Sequence, residues 1–220
     1  MGLNNEGADR IVLDIETVAS PDCATLLDPV RAPANYKDPI KIAAYCEEKL
    51  VERIATAALE ADLCEVVALG YCLEHDPSIN VVSRDEQDEG EMLAQLWDVV
   101  GHRPVVGFNC LSFDLPVLIR RSQLLGVRYP DVNLDRYRTA HIDLLERLSF
   151  NGKLTYRSLA FYCRRFGITV ADTTTGADIA ALVAANQWPE IAAHCHADVE
   201  KTALLARRLG FIAPVLQEVA

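Results

Sequence analysis

Two apolar, β-branched runs separated by a tight turn constrain this chain most. Val66–Leu73 (VVALGYCL) and Ile79–Ser83 flank the turn-like His75-Asp76-Pro77-Ser78. A connection that short admits only an antiparallel hairpin, because a parallel pair needs a crossover of about a dozen residues or more. Ile11–Ile15 (IVLDI) reads as a buried strand upstream of it, so three strands precede any core helix. The period then changes. Glu89–Val100 places Met92, Leu93, Leu96, Trp97, Val99 and Val100 at helical spacing. Pro104–Phe108 (PVVGF) returns to a buried strand, and Asp114–Leu125 is the helix after it. His141–Leu144 is a short strand leading into helix. Thr155–Phe166, Ala177–Ala185 and Pro189–Leu209 complete a helical second half. The expected fold is α/β: a mixed sheet, antiparallel over its first three strands and parallel beyond them, flanked by helices.

Residues 18–65, between the first two strands, are too many for a plain loop. Arg31–Tyr36 has the look of an extended connector, and Ile40–Leu59 is strongly helical. The segment is therefore expected to be a helical insertion on one domain spanning residues 1–220. Half the residues are hydrophobic, enough for a sizeable core, yet the longest apolar runs, such as Ile179–Ala185, are too short to span a bilayer. Met1–Asp9 shows neither a positive n-region nor an apolar h-region, so no secretory leader is expected. The 7 cysteines occur singly, without a C-x-x-C pair. That pattern suits reduced thiols in the cytoplasm and argues against a disulfide frame or a zinc site.

Three acidic features carry candidate chemistry. Asp14 and Glu16 stand at i and i+2 of an otherwise apolar strand, so their side chains leave one face. Carboxylates are seldom buried without a partner, and a metal ion is one such partner; a strand end reaching solvent is the other reading. Asp114 follows a buried strand and the connector Asn109-Cys110-Leu111-Ser112-Phe113. It either serves the following helix dipole or sits where ligand sites cluster in α/β sheets. His194 and Asp198, at i and i+4 within His194-Cys195-His196-Ala197-Asp198-Val199, share a helix face, while His196 points away from it. Alone, that pair also reads as ordinary helix stabilisation.

Taken together, D-x-E on the first strand, N-x-x-x-F-D after a later strand and an x-x-x-D unit on the last helix resemble the DEDD superfamily of 3′→5′ exonucleases. These have an RNase H-like fold. Within it the chain is most similar to the exonucleases related to the proofreading domain of family-B DNA polymerases. Gly176-Ala177-Asp178 through His194-Cys195-His196-Ala197-Asp198-Val199 resembles their G-x-D…Y-C-x-x-D-V segment, and His141-Ile142-Asp143-Leu144 resembles H-x-D-L. The resemblance runs from Ile11 to about Arg208, apart from the insertion. It implies two Mg²⁺ ions, with Mn²⁺ as a substitute, held by Asp14, Glu16, Asp114 and Asp198, with Asp14 bridging both. It also places Thr17, Asn109 and Phe113 beside the 3′ nucleotide, although the residues themselves favour ordinary core for Phe113. Asp143 either supports the site or caps the next helix. One departure stands out. His194 occupies the position where the family carries tyrosine, so it offers a general base whose ordinary pKa is near neutral, provided it faces the metals.

The formal net charge of −11 is unusual for a protein that grips long duplex nucleic acid. It suits short or single-stranded DNA or RNA 3′ ends, with part of the acidity offset by metals. Arg120, Arg121, Arg128, Arg136, Arg138, Arg157, Arg164 and Arg165 bunch in one third of the chain, as either a binding face or a mixed solvated surface. Two other readings remain: a binding module without strong catalysis, and an RNase H-like endonuclease. Four carboxylates facing a phosphate count against the first. The histidine four residues before Asp198 counts against the second.

Overall fold

A computed structural model describes residues 9–214; the Met1–Asp9 leader segment therefore falls almost wholly outside the described residues. Five strands form one sheet: β1 (Ile11–Ala19), β2 (Cys64–Leu73), β3 (Asn80–Ser83), β4 (Val105–Gly107) and β5 (Ile142–Asp143), in the order β3-β2-β1-β4-β5. β1 pairs antiparallel with β2 and β2 with β3, while β1 pairs parallel with β4 and β4 with β5. This is the expected mixed sheet of RNase H-like form, with the hairpin as its antiparallel flank.

Alternation along β1 assigns each residue to a layer. Ile11, Leu13 and Ile15 pack with Met92, Leu93, Leu96 and Trp97 of α3 (Glu89–Val100) and with Leu115 and Leu118 of α4 (Asp114–Leu125). Val12 faces the opposite layer, against Val199, Ala203 and Ala206 of α8 (Trp188–Arg208). Asp14 and Glu16 follow Val12 at period 2, so they belong to the α8 side. Val18 continues that face, packing with Ile179 of α7 (Ile179–Ala184) and with Ile191 and Cys195 of α8.

β1 runs to Ala19, four residues past its expected end, because Thr17, Val18 and Ala19 pair with Val66, Glu65 and Cys64. The register shifts between Glu16 and Thr17, which leaves Val67 as the extra residue on β2. The segment between the strands is thus 20–63. It holds a short α1 (Cys23–Leu26) and the long α2 (Pro39–Thr56), started by Asp38 capping the Ile40 N–H with Pro39 in the first turn, then a single 3₁₀ turn at Ala57–Leu59. No residue of α2 is fully buried. The insertion is anchored at its ends, where Cys23, Ala57 and Leu63 form a small cluster of their own.

Other boundaries moved for local reasons. The helix expected over Thr155–Phe166 begins only at Leu159 (α6, Leu159–Phe166), because Ser158 caps it by accepting from the Phe161 N–H. The helix expected over Ala177–Ala185 splits into a 3₁₀ turn, Gly176–Asp178, with Thr175 and Asp178 forming a capping box, and then α7. α5 (Leu144–Leu148) follows β5 directly. All seven cysteines are free. Among the described residues no helix is long and apolar enough to cross a membrane.

Candidate active site

Glycine brings the site's elements close together. Gly70, opposite Asp14 on β2, lies directly beneath α8. A Cβ there would meet Cys195 Sγ and Val199 Cγ2 at 2.9 Å each. Its absence lets the helix that carries His194 and Asp198 settle onto the strand pair that carries Asp14. At the end of β4, a Cβ on Gly107 would lie 2.5 Å from the Cβ of Cys110, so the chain can fold back immediately after the strand.

That fold-back presents Asp114. Asn109 adopts the left-handed conformation (φ 66°), and the Ser112 and Phe113 N–H groups both donate to its carbonyl. Asp143 ties the loop down. Its two oxygens accept from the Asn109 N–H (2.9 Å) and the Leu111 N–H (3.0 Å), and Oδ1 also accepts from Leu145 and Glu146 at the start of α5. Both sequence readings of Asp143 therefore hold: it caps α5, and it shapes the loop before Asp114. Asp114 itself is the first residue of α4 and 4% exposed.

Asp14, Glu16, Thr17, Phe113, Asp114, His194 and Asp198 line one cavity of ≈ 460 Å³. Asn109 does not line it. The neighbouring Phe108 does, while the Asn109 backbone serves the Asp143 anchor. Phe113 is half-buried and also packs against the α3/α4 core, so it serves both surfaces. The Thr17 hydroxyl donates to the Ala58 carbonyl at 2.7 Å, which fixes the insertion's 3₁₀ turn to β1 and puts Ala58 and Leu59 on the rim. His196 is exposed, on another face of α8.

Sequence reasoning missed two participants. Asp172 accepts from His194 Nδ1 at 2.9 Å. Lys201 donates to both Asp172 and Asp198. Lys201 was within reach, lying three residues past Asp198 on the same helix face. Asp172 sits in Val170–Thr175, where no period or cap marks it. With Nδ1 engaged by Asp172, His194 Nε2 faces the cavity, 3.7 Å from Glu16 Oε1 and 4.0 Å from Asp198 Oδ2.

The charges divide into two groups. Burial pushes the Asp172 pKa up, but Lys201, the Thr174 N–H and His194 outweigh it and hold the carboxyl below its usual range. No cation lies that close to Asp14, Glu16 and Asp114 among the described residues. Burial, then Asp114, Glu16 and Asp198, drives Asp14 well above the carboxylate range. Burial, then Asp198, Asp114 and Asp172, raises Glu16 to about 8. Burial and Asp143 raise Asp114 to about 7, although backbone N–H groups of Asp114 and Ile15 oppose them. Glu16 Oε1 is buried without a hydrogen-bond partner. An orphaned buried oxygen among repelling carboxylates fits a divalent cation. The nearby Cys195 Sγ bonds to the Asp14 carbonyl and is kept protonated by burial, so the donors offered are oxygens, the set that hard Mg²⁺ and Mn²⁺ prefer.

A mixed sheet of order 3-2-1-4-5, with carboxylates gathered at one cleft from β1, α4 and α8, defines an RNase H-like domain with an acidic cavity. Residues 56–219 match the family described as predicted 3′-5′ exonucleases related to the exonuclease domain of PolB, and the chain belongs to that family. β1, with Asp14 and Glu16, lies before the matched range. Among solved structures, the family B DNA polymerase from the hyperthermophilic archaeon Pyrobaculum calidifontis is similar, with a TM-score of 0.59 and 17% identity. The similarity covers 92% of this chain and 24% of the polymerase chain, so this chain spans about a quarter of that protein's length. No curated protein matches the chain.

Proposed function

We propose that the chain is a 3′→5′ exonuclease that hydrolyses phosphodiester bonds at the 3′ end of single-stranded DNA or RNA, using two divalent ions. Mg²⁺ is the expected metal, with Mn²⁺ as a substitute, and Asp14, Glu16, Asp114 and Asp198 would hold the ions. The observation that carries this reading is the unpartnered Glu16 Oε1 among carboxylates that repel one another in one cleft. Such a set is poorly suited to receive a phosphate by itself and well suited to bind cations. When bound, two ions polarise the phosphate and offset charge on the attacking and departing oxygens.

The chain's own groups supply the rest. Asp172 takes the Nδ1–H of His194 and leaves the Nε2 lone pair directed into the cleft, so His194 can take a proton from the attacking water. Lys201 holds Asp198 and Asp172 in place. Thr17, Phe113 and Phe108 form the surface that meets the terminal nucleotide; Asn109 acts through its backbone. Residues 1–220 act as one domain with the 20–63 segment inserted, and the free thiols suit a cytoplasmic setting.

The test is cleavage of 5′-labelled single-stranded DNA and RNA with Mg²⁺ or Mn²⁺, beside Asp14→Ala and an EDTA control. A ladder shortening from the 3′ end, lost with EDTA or in the variant, is the expected result. Internal cuts would move the assignment to an RNase H-like endonuclease. Binding without cleavage in either metal would leave a nucleic-acid-binding module.

A further inference from the structure

We infer that a second groove, separated from the cleft only by the first turn of α6, is a track for single-stranded nucleic acid that holds the strand upstream of its 3′ end. The identity of the ligand rests on the exonuclease reading above. The groove has a volume of ≈ 650 Å³ and contains Arg147, Arg157, Arg165, Phe150, Phe161 and Phe211 in its wall. Ser158, Leu159 and Ala160 line the cleft, and Arg157 and Phe161 line the groove. One helical turn, about 5 Å of axial rise, therefore separates the two surfaces.

Three observations select a polyanion with flat rings as the occupant. The first is charge. Among the described residues no acidic one lines the groove, in a chain with 32 Asp and Glu against 21 Lys and Arg. Much of the arginine bunch seen in the sequence is used internally: Arg120 pairs with Asp62, Arg121 with Glu89, Arg136 with Glu146 and Arg138 with Asp135. Among the described residues, Arg147, Arg157 and Arg165 form no ion pair. The second is the placement of rings and guanidinium groups together. Arg157 lies over the Phe161 ring at 5.4 Å and Arg147 over Phe211 at 6.0 Å. Planar cations beside rings suit phosphates and stacked bases at once, and base–aromatic stacking contributes roughly 1–3 kcal/mol per base.

The third is backbone strain. Phe150, Asn151 and Gly152 all have positive φ, at 53°, 57° and 80°. A bulky residue in that region costs about 1–3 kcal/mol, yet Phe150 ends 61% exposed at the groove. The loop is held there by the Asn151 N–H on Glu146 O, the Leu154 N–H on Ser149 O and the Gly152 N–H on Ser149 Oγ. A strained loop that presents a phenylalanine to solvent, beside arginines that form no ion pair among the described residues, is a binding device.

Fluorescence anisotropy of a labelled single strand of about 12 nucleotides in EDTA, where nothing is cut, tests the track, and hydrolysis in Mg²⁺ of strands of about 3 and about 12 nucleotides separates it from the cleft. In Arg157→Glu/Arg165→Glu the longer strand should bind about 10-fold or more weakly, and the salt slope should fall by about 0.7 per lost phosphate contact. Phe150→Ala/Phe161→Ala should weaken the longer strand while leaving the salt slope near wild type. Hydrolysis of the short strand in Mg²⁺ should be unchanged in both variants, with melting temperatures confirming the fold. Unchanged affinity for the longer strand in both variants overturns the track. Equal loss for short and long strands overturns it too, since the groove would then be part of the cleft. Wild-type protein that binds through the groove yet cuts nothing sinks the exonuclease reading and leaves the track standing. Cutting with groove-independent binding sinks the track alone.

Discussion

Stripped of metal, the protein should lose stability as pH rises from about 5 to about 8, and divalent ions should restore it. The cause is the cluster of raised carboxyl groups. Glu16, 5% exposed, moves from 4.5 to about 8. The folded state thus retains a proton that the unfolded chain has already released. Stability from this group is fully present below the unfolded pKa and is lost as pH climbs through the folded one. Each pH unit in that window is worth about 1.4 kcal/mol, so Glu16 alone costs roughly 3 kcal/mol between pH 5 and 8. Asp14 and Asp114 shift the same way, but the charges interact, and their contributions do not simply sum. For a domain of this size, roughly 3 kcal/mol corresponds to a melting temperature lower by about 6–12 °C. The assay is thermal unfolding in EDTA across that range, with wild type beside Glu16→Gln, whose amide is neutral throughout. Subtracting the variant removes the titrations both proteins share. Wild type should fall relative to the variant as pH rises. At pH 8, Mg²⁺ at about 100 times its Kd should return about 2.7 kcal/mol to wild type and much less to the variant. Parallel pH curves for the two proteins, or a metal-free wild type that gains stability on it towards pH 8, would refute the reasoning.

The buried Arg121–Glu89 pair, at 2.7 and 2.6 Å with Val66 N–H on the same carboxylate, makes Arg121→Met costly. A loss of about 3–5 kcal/mol in urea unfolding is expected, and one under about 1 kcal/mol would mean water reaches Glu89. Gly70→Ala should cost about 1–3 kcal/mol and lower kcat with it, since the methyl presses on Cys195 and Val199 of α8; full activity in a destabilised variant would separate packing from catalysis. His194→Phe should lower kcat about 10²–10⁴-fold with KM little changed, and Asp172→Asn about 10–100-fold. In the His194→Phe background the Asp172→Asn change should add almost nothing; full additivity would mean that Asp172 does not act through the imidazole.

The sheet was legible because both of its periods are written plainly. VVALGYCL and IVLDI alternate or run apolar over strand lengths, and the short turn before Ile79 permits only a hairpin. Boundaries were harder. Thr155–Arg157 carries helix-compatible residues, yet Ser158 captures the Phe161 N–H and starts the helix at Leu159. β1 extends to Ala19, beyond the apolar run Ile11–Ile15, because pairing with β2 is a long-range contact that no local run announces. The candidate site was legible where chemistry follows a helix or strand period: Asp14 with Glu16, His194 with Asp198. It was illegible where a residue is recruited from irregular chain. Asp172 reaches His194 across a separation of 22 in sequence, and nothing local in Val170–Thr175 announces it. Asn109 is the complementary case. The family resemblance implied substrate contact for it; the structure shows its left-handed backbone and its N–H on Asp143 as the pivot of the loop, with the side chain off the cavity wall.

Net charge is a poor guide to what this chain binds, because the acidity and the basicity occupy different places. The carboxylates of the proposed metal site are folded into a cleft where burial first, and neighbouring carboxylates second, raise their pKa values, so on the proposed reading they would hold cations and not act as a surface field. The arginines nearest in sequence divide as well: four are neutralised by local carboxylates, and the remainder include the two in the groove beside α6. A polyanion approaching this protein would be repelled by the mean charge and attracted by one track. That combination disfavours non-specific duplex binding, which needs many spread phosphate contacts, and favours a strand able to thread. Duplex affinity that is high at low salt and falls with a slope of many phosphate contacts would contradict this partition directly, because among the described residues the arginines without an ion pair that line a groove are those beside α6.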